Sequence, residues 1–153
     1  MASKKPLSEQ DVQNFATQHR QMQYQAEAAI EQLNFVNASI NEIITTINTL
    51  AEFESVEDGH EVLIPIGAGT NVKAKLVMPE NVNIQVGAGI SVEKNIVDAK
   101  SMLETRKDEM TKYQENIQAS VNDLTNKMTE IEKVLASVAG QQQAPPSPPM
   151  QGS

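Results

Sequence analysis

Residues 11–50 read DVQNFATQHRQMQYQAEAAIEQLNFVNASINEIITTINTL, without one proline or glycine. Stepping through by threes and fours gives Val12, Phe15, His19, Met22, Ala26, Ala29, Leu33, Val36, Ile40, Ile43, Ile47 and Leu50. The 3,4 alternation never breaks, and only His19 is not apolar. A seam this narrow and this long predicts a coiled-coil helix rather than the wider apolar stripe of a globular one. Ser8 supplies an N-cap, with Asp11 three residues on as a capping-box partner, so the helix is expected over 8–54.

A second seam answers it over 95–139. Ile96, Ala99, Leu103, Arg106, Met110, Tyr113 and Ile117 step by three and four, with Arg106 the polar position. A repeated step of four reaches Val121, after which Leu124, Met128, Ile131, Leu135 and Val138 resume the alternation. The repeated step is a stutter, expected to unwind the supercoil locally near Ile117–Val121. Asp108 with Lys112 and Asp123 with Lys127 stand at i,i+4 spacing for ion pairs on the exposed face. Each helix would run roughly 65–70 Å at 1.5 Å per residue. Two seams of matched length on either side of a shorter segment most simply pair antiparallel. Val12 then lies near Val138, and Leu50 near Ile96.

Between them, residues 55–94 change texture: five glycines and two prolines among Val- and Ile-rich runs. Strands are expected at Glu61–Ile66, Val72–Met78, Val82–Val86 and Ile90–Glu93, with a turn at Pro79-Glu80-Asn81. Ile66-Gly67-Ala68-Gly69 and Val72 recur as Val86-Gly87-Ala88-Gly89 and Val92. The reading is two β-hairpins with Gly-Ala-Gly tips, the glycines supplying positive φ. The fold class is therefore mainly α with a β insertion: a long antiparallel two-helix hairpin carrying two β-hairpins at its turn end. Residues 1–7 are expected as a flexible N-terminus. Gly140 is expected to stop the second helix, leaving 140–153 as a disordered Pro-, Gln- and Ser-rich tail.

Composition narrows the function. Only five aromatics, Phe15, Tyr24, Phe35, Phe53 and Tyr113, serve the 153 residues, too few for a conventional closed core. A β segment without a single aromatic cannot close a core alone, and its strand edges invite pairing. Assembly with other subunits through the hairpins follows. Twenty acidic against 12 basic side chains leave a net charge of −8. Residues 8–54 hold seven acids and one base, and 95–139 eight acids and six bases, which argues against a nucleic-acid arm.

Cysteine is absent, so there is no disulfide, thiol nucleophile or thiolate metal site. The N-terminus has positive charge but no apolar run after it, unlike a secretory signal, and no run approaches the ~18 residues of a membrane span. A cytoplasmic protein is expected. His19 and His60 have no second ligand at metal spacing. The Gly-Ala-Gly loops have Val72 and Val92 where a dinucleotide fingerprint needs its third glycine, and a strand follows instead of a helix. No acid–base pair or activated nucleophile stands out, so neither an enzyme nor a cofactor is expected. What remains is the far end of the helical hairpin. Val12, Phe15, Leu135 and Val138 are expected to be partly exposed there, with Met22 and Met128 as adaptable neighbours, a surface suited to other proteins' apolar segments.

The motifs LIPIGAGTNVKAKL (63–76) and VNIQVGAGISVEK (82–94), set between two long helices, resemble the alpha class of the archaeal prefoldin (GimC) family. The resemblance covers Ser8–Ala139, and two hairpins rather than one select the alpha class. It implies a hexamer of two alpha and four beta subunits whose hairpins form a double β-barrel platform. It further implies ATP-independent capture of non-native proteins at six coiled-coil tips, and delivery to a group II chaperonin. Carried over by position, the client surface would comprise Val12, Phe15, Met22, Met128, Ile131, Leu135 and Val138. Subunit assembly would fall among Leu63, Ile64, Ile66, Val72, Val82, Ile84, Val86, Ile90 and Val92. The alternative is a structural or tethering coiled-coil subunit of a hetero-oligomer that binds no client.

Overall fold

A computed structural model describes residues 7–78 and 80–142. Its elements run α1 (Glu9–Phe53), β1 (Glu61–Gly67), β2 (Thr70–Lys75), β3 (Asn81–Gly87), β4 (Ile90–Asn95) and α2 (Ile96–Gln142). Most of the expected flexible N-terminus, Pro79 of the expected turn, and the expected tail from residue 143 on lie outside the described residues. Gly140 does not end α2, which continues to Gln142. A glycine stops a helix by adopting a left-handed conformation; one left in helical φ,ψ only weakens it, by about 1 kcal/mol relative to alanine.

Both helices are capped by their own side chains. The Ser8 backbone N–H donates to Asp11 Oδ2 at 2.9 Å, and the Asp11 N–H donates to Ser8 Oγ at 3.2 Å. The Ser8 hydroxyl also donates to that carboxylate, at 2.7 Å. Chiefly through this hydroxyl, and then through the backbone bond, the Asp11 carboxyl is held below its ordinary range. Asn95 caps α2: its Oδ1 accepts from the Asp98 N–H, and its side-chain amide donates to Asp98 Oδ2, both at 2.8 Å. Asn95 also ends β4, so strand passes into helix with no connecting loop.

The chain divides into two compact units. Phe35–Gln114 forms one of them. Its core joins Ile43 and Leu50 of α1, Ile84 of β3, and Ala99 and Leu103 of α2, with Ile47, Phe53, Val82, Ile96, Met102 and Met110 packed around them. The helices run antiparallel in it, as a Lys100–Glu54 ion pair (3.2 Å) and an Asn37–Gln114 side-chain hydrogen bond require.

The two sheets are separate antiparallel pairs, β1·β2 and β3·β4. Their registers match residue for residue along the internal repeat: Ile64 opposes Val72 as Ile84 opposes Val92, and each slips one residue before its tip. Positive φ at the tips is not confined to the glycines. Ala68 and Ala88 both take φ 48°, followed by Gly69 at 73° and Gly89 at 76°. Two successive positive-φ residues are the signature of the type I′ turn, whose first position favours Asn over a Cβ-bearing residue such as Ala. Replacing Ala68 and Ala88 by Asn should therefore raise thermal stability, by about 0.5–1 kcal/mol for each turn. A lowered melting midpoint would show that the alanine methyls are in use.

The seam of α1 is borne out at every position: each of its twelve residues is buried or half-buried. The seam of α2 needs one correction. Tyr113 is 46% exposed, while Gln114 beside it is half-buried and donates to Asn37 Oδ1. The inward series is therefore Arg106, Met110, Gln114, Ile117 and Val121. The repeated step of four, and with it the stutter, lies at Arg106–Gln114 rather than at Ile117–Val121. Preferring the ring over the amide misplaces it, because an amide that finds a partner is at home in a seam. Arg106 also has a specific use there: its guanidinium donates to the Gln85 carbonyl of β3 at 3.2 Å. On the surface Asp123 and Lys127 pair at 2.7 Å, whereas Asp108 with Lys112 is not among the ion pairs of the described residues.

Candidate protein-interaction site

The other unit takes α1 up to Asn34 and α2 from Glu115 on. Here the interior is thin. Ala26, Ile117, Val121 and Ile131 are buried, but Val12, Phe15, Met22, Leu124, Met128, Leu135 and Val138 are only half-buried. His19 Nε2 meets Glu132 Oε1 at 2.8 Å, bridging the helices at the one polar residue of the α1 seam.

Two open apolar grooves result. One of about 370 Å³ is lined by Leu7, Val12, Leu135, Val138 and Ala139, with Glu9 and Gln13 on its rim. A second, of about 270 Å³, is lined by Phe15, Met22, Ile131 and Val134 between Lys127 and Glu130. The structure thus brings six of the seven expected contact residues to these two grooves: Val12, Leu135 and Val138 to the first, and Phe15, Met22 and Ile131 to the second. Met128 is half-buried and lines neither. Ile131 needs correcting: at 7% exposure it is the floor of its groove, part of the seam rather than free surface.

The seam periodicity misses Leu7, Val134 and Ala139. Leu7 has a legible signal all the same: it precedes the Ser8 cap by one residue and Val12 follows the cap by four, the spacing of a hydrophobic staple. Val134 lies three residues beyond Ile131, widening the stripe beyond a two-position seam.

The hairpins offer a second apolar surface. Leu63 (64%), Ile66, Ile90, Ile64, Val72 and Val86 are exposed. Val92 is half-buried. Ile84 must be withdrawn from the expected assembly residues, because it is buried in the chain's own core, against which the half-buried Val82 also packs. Each sheet has only two strands, so every strand has an unpaired edge within the chain. No group of three or more potential metal ligands occurs among the described residues.

A family model described as prefoldin subunit matches residues 10–141. The chain belongs to the prefoldin family. The protein named prefoldin subunit alpha of Methanococcoides burtonii is 35% identical over 130 residues, covering 85% of this chain and 94% of that one. Its namesake in Methanosarcina barkeri is 33% identical, over 82% of this chain and 90% of its own. Among solved structures, a chain of filamentous PFD from Methanocaldococcus jannaschii superposes with a TM-score of 0.65 at 21% identity. That match covers 80% of this chain and 98% of the other, a likeness of fold. The prefoldin pattern of two long helices with two β-hairpins between them is the one described above. No helix among the described residues is long and apolar enough to cross a membrane.

Proposed function

We propose that this chain is the alpha subunit of a prefoldin that holds non-native proteins without ATP and passes them to a group II chaperonin in the cytoplasm. The observation that carries the reading is the pair of open apolar grooves between α1 and α2, lined by Val12, Phe15, Leu135 and Val138. Half-buried apolar side chains lining an open groove can exchange one another's company for a client's apolar segments. Each such contact is weak, and several copies acting on one unfolded chain turn weak contacts into avidity. Assembly with beta subunits, two alpha to four beta, would cover Leu63, Ile64, Ile66 and Ile90 and pair the open strand edges. The acid-rich surface of α1 keeps the helices soluble while the grooves stay adhesive.

The test is co-expression with a prefoldin beta subunit, mass measurement, and an aggregation assay on a denatured client. Val12→Ser, Phe15→Ser and Leu135→Ser combined should raise the concentration needed to suppress aggregation by about tenfold or more, since weakening at several arms multiplies when they act on one client. The oligomer mass should not change. Full suppression by the triple variant would overturn the reading, and loss of the oligomer would assign these residues to structure.

A further inference from the structure

We propose that the larger groove has an occupant within this same sequence: the proline-rich segment Ala144–Met150, which docks there and competes with external apolar segments. Position is the first argument. The groove is lined by Leu135, Val138 and Ala139 of α2 facing Leu7 and Val12, and α2 is described as far as Gln142. Val138 is only four residues back from Gln142, about 6 Å along a helix. Residues 143–153 can extend about 3.1 Å each as polyproline II, enough to double back along the whole groove.

Chemistry is the second argument. From Gly140 to Ser153 there is no charged side chain, although about a fifth of the sequence is charged. The segment reads APPSPPM, four prolines followed by an unbranched methionine. Prolines are restricted before binding, so seating them costs less ordering entropy than seating a generic chain. Methionine adapts to an irregular apolar slot. An apolar trough within that reach is where its prolines and Met150 would gain burial. The competitive part of the proposal rests on the reading of the groove as a client site; the docking part does not.

The chain has no cysteine, which makes a disulfide test clean. In the full-length chain, the pair Val12→Cys with Ser147→Cys keeps all four prolines and Met150. Its control is Asn14→Cys with Ser147→Cys, at nearly the same height on α1 but on an exposed position. Docking predicts intrachain closure in a glutathione buffer about tenfold faster for the Val12 pair, through its higher effective concentration. Equal rates would overturn the proposal. So would closure mainly between chains, which would give the groove to a second copy.

Deleting 143–153, or exchanging Met150→Ser where the deletion disturbs α2, should tighten binding of reduced, carboxymethylated lactalbumin by about 4- to 10-fold, as a groove freed of its occupant requires. Equal affinity with and without the segment would overturn competition. No binding by either form, with selective closure retained, would sink the client reading and leave the docking intact.

Discussion

Ile84→Ala should lower the unfolding free energy of the chain by about 2–4 kcal/mol, the cost of emptying a close-packed isoleucine site. Ile84 is 8% exposed and joins Ile43, Leu50, Ala99 and Leu103, so the substitution strips packing from both helices at once. Ile64→Ala is the matched control. Ile64 has the same place in the first hairpin, opposite Val72 as Ile84 is opposite Val92, yet it is 46% exposed. Its truncation should stay within about 0.5 kcal/mol of the parent chain. Urea unfolding at low micromolar concentration, followed by far-ultraviolet dichroism, separates the two. Equal losses would mean that the first hairpin is docked on the helices as firmly as the second. With beta subunits present the order should reverse for assembly: Ile64→Ala weakens the oligomer and Ile84→Ala acts only through folding.

Breaking the Asn37–Gln114 pair is the second large effect. Gln114→Leu alone leaves the half-buried Asn37 amide without its partner and should cost about 1–2 kcal/mol, as should Asn37→Leu alone. The double variant replaces both polar groups by apolar ones and should recover most of that loss or exceed the parent chain. A coupling of about 1 kcal/mol or more in the double-mutant cycle is expected. Additive single losses would show that the hydrogen bond carries no energy and that the seam merely tolerates two amides. The pair sits where α2 makes its two consecutive steps of four. Restoring apolar residues there should also blur the register that the polar contact specifies, as buried polar positions do in other coiled coils.

The helices and hairpins are legible because they are written in local terms. A 3,4 period from Val12 to Leu50 needs no knowledge of the partner to identify the inward face, and the Gly-Ala-Gly repeats mark reversals wherever they occur. Ser8 with Asp11 marks a helix start in the same local way. Two further local signals are easily passed over. Asn95 with Asp98 caps α2 as surely as Ser8 caps α1, and Leu7 with Val12 staples the entry to α1 and lines the larger groove. Both stand in the sequence at regular spacings.

Other features have no local signal. Val62 and Ile64 repeat as Val82 and Ile84, and periodicity assigns the two hairpins the same apolar face. Among the described residues neither Val62 nor Ile64 joins the core on the helices, whereas Val82 and Ile84 of the second hairpin do. Its strand β4 runs through Asn95 straight into α2, and Arg106 ties β3 to that helix. The first hairpin is joined to α1 through residues 54–60 and makes its extra bonds with that connection: Leu76 with Gly59 and His60, and Met78 with Asp58. Likewise Tyr113 and Gln114 compete for one inward position. The inward place goes to Gln114, whose side-chain amide donates to Asn37, far away in sequence.

The sequence by itself determined the elements, their antiparallel order and the apolar character of the seam, because each follows from periods and turns within a few residues. Tertiary structure alone decided which hairpin gives a residue to the buried core, where the stutter falls, and which seam residues line open grooves. Those outcomes depend on neighbours brought together from distant parts of the chain, and burial is a property of neighbours rather than of a residue's own chemistry.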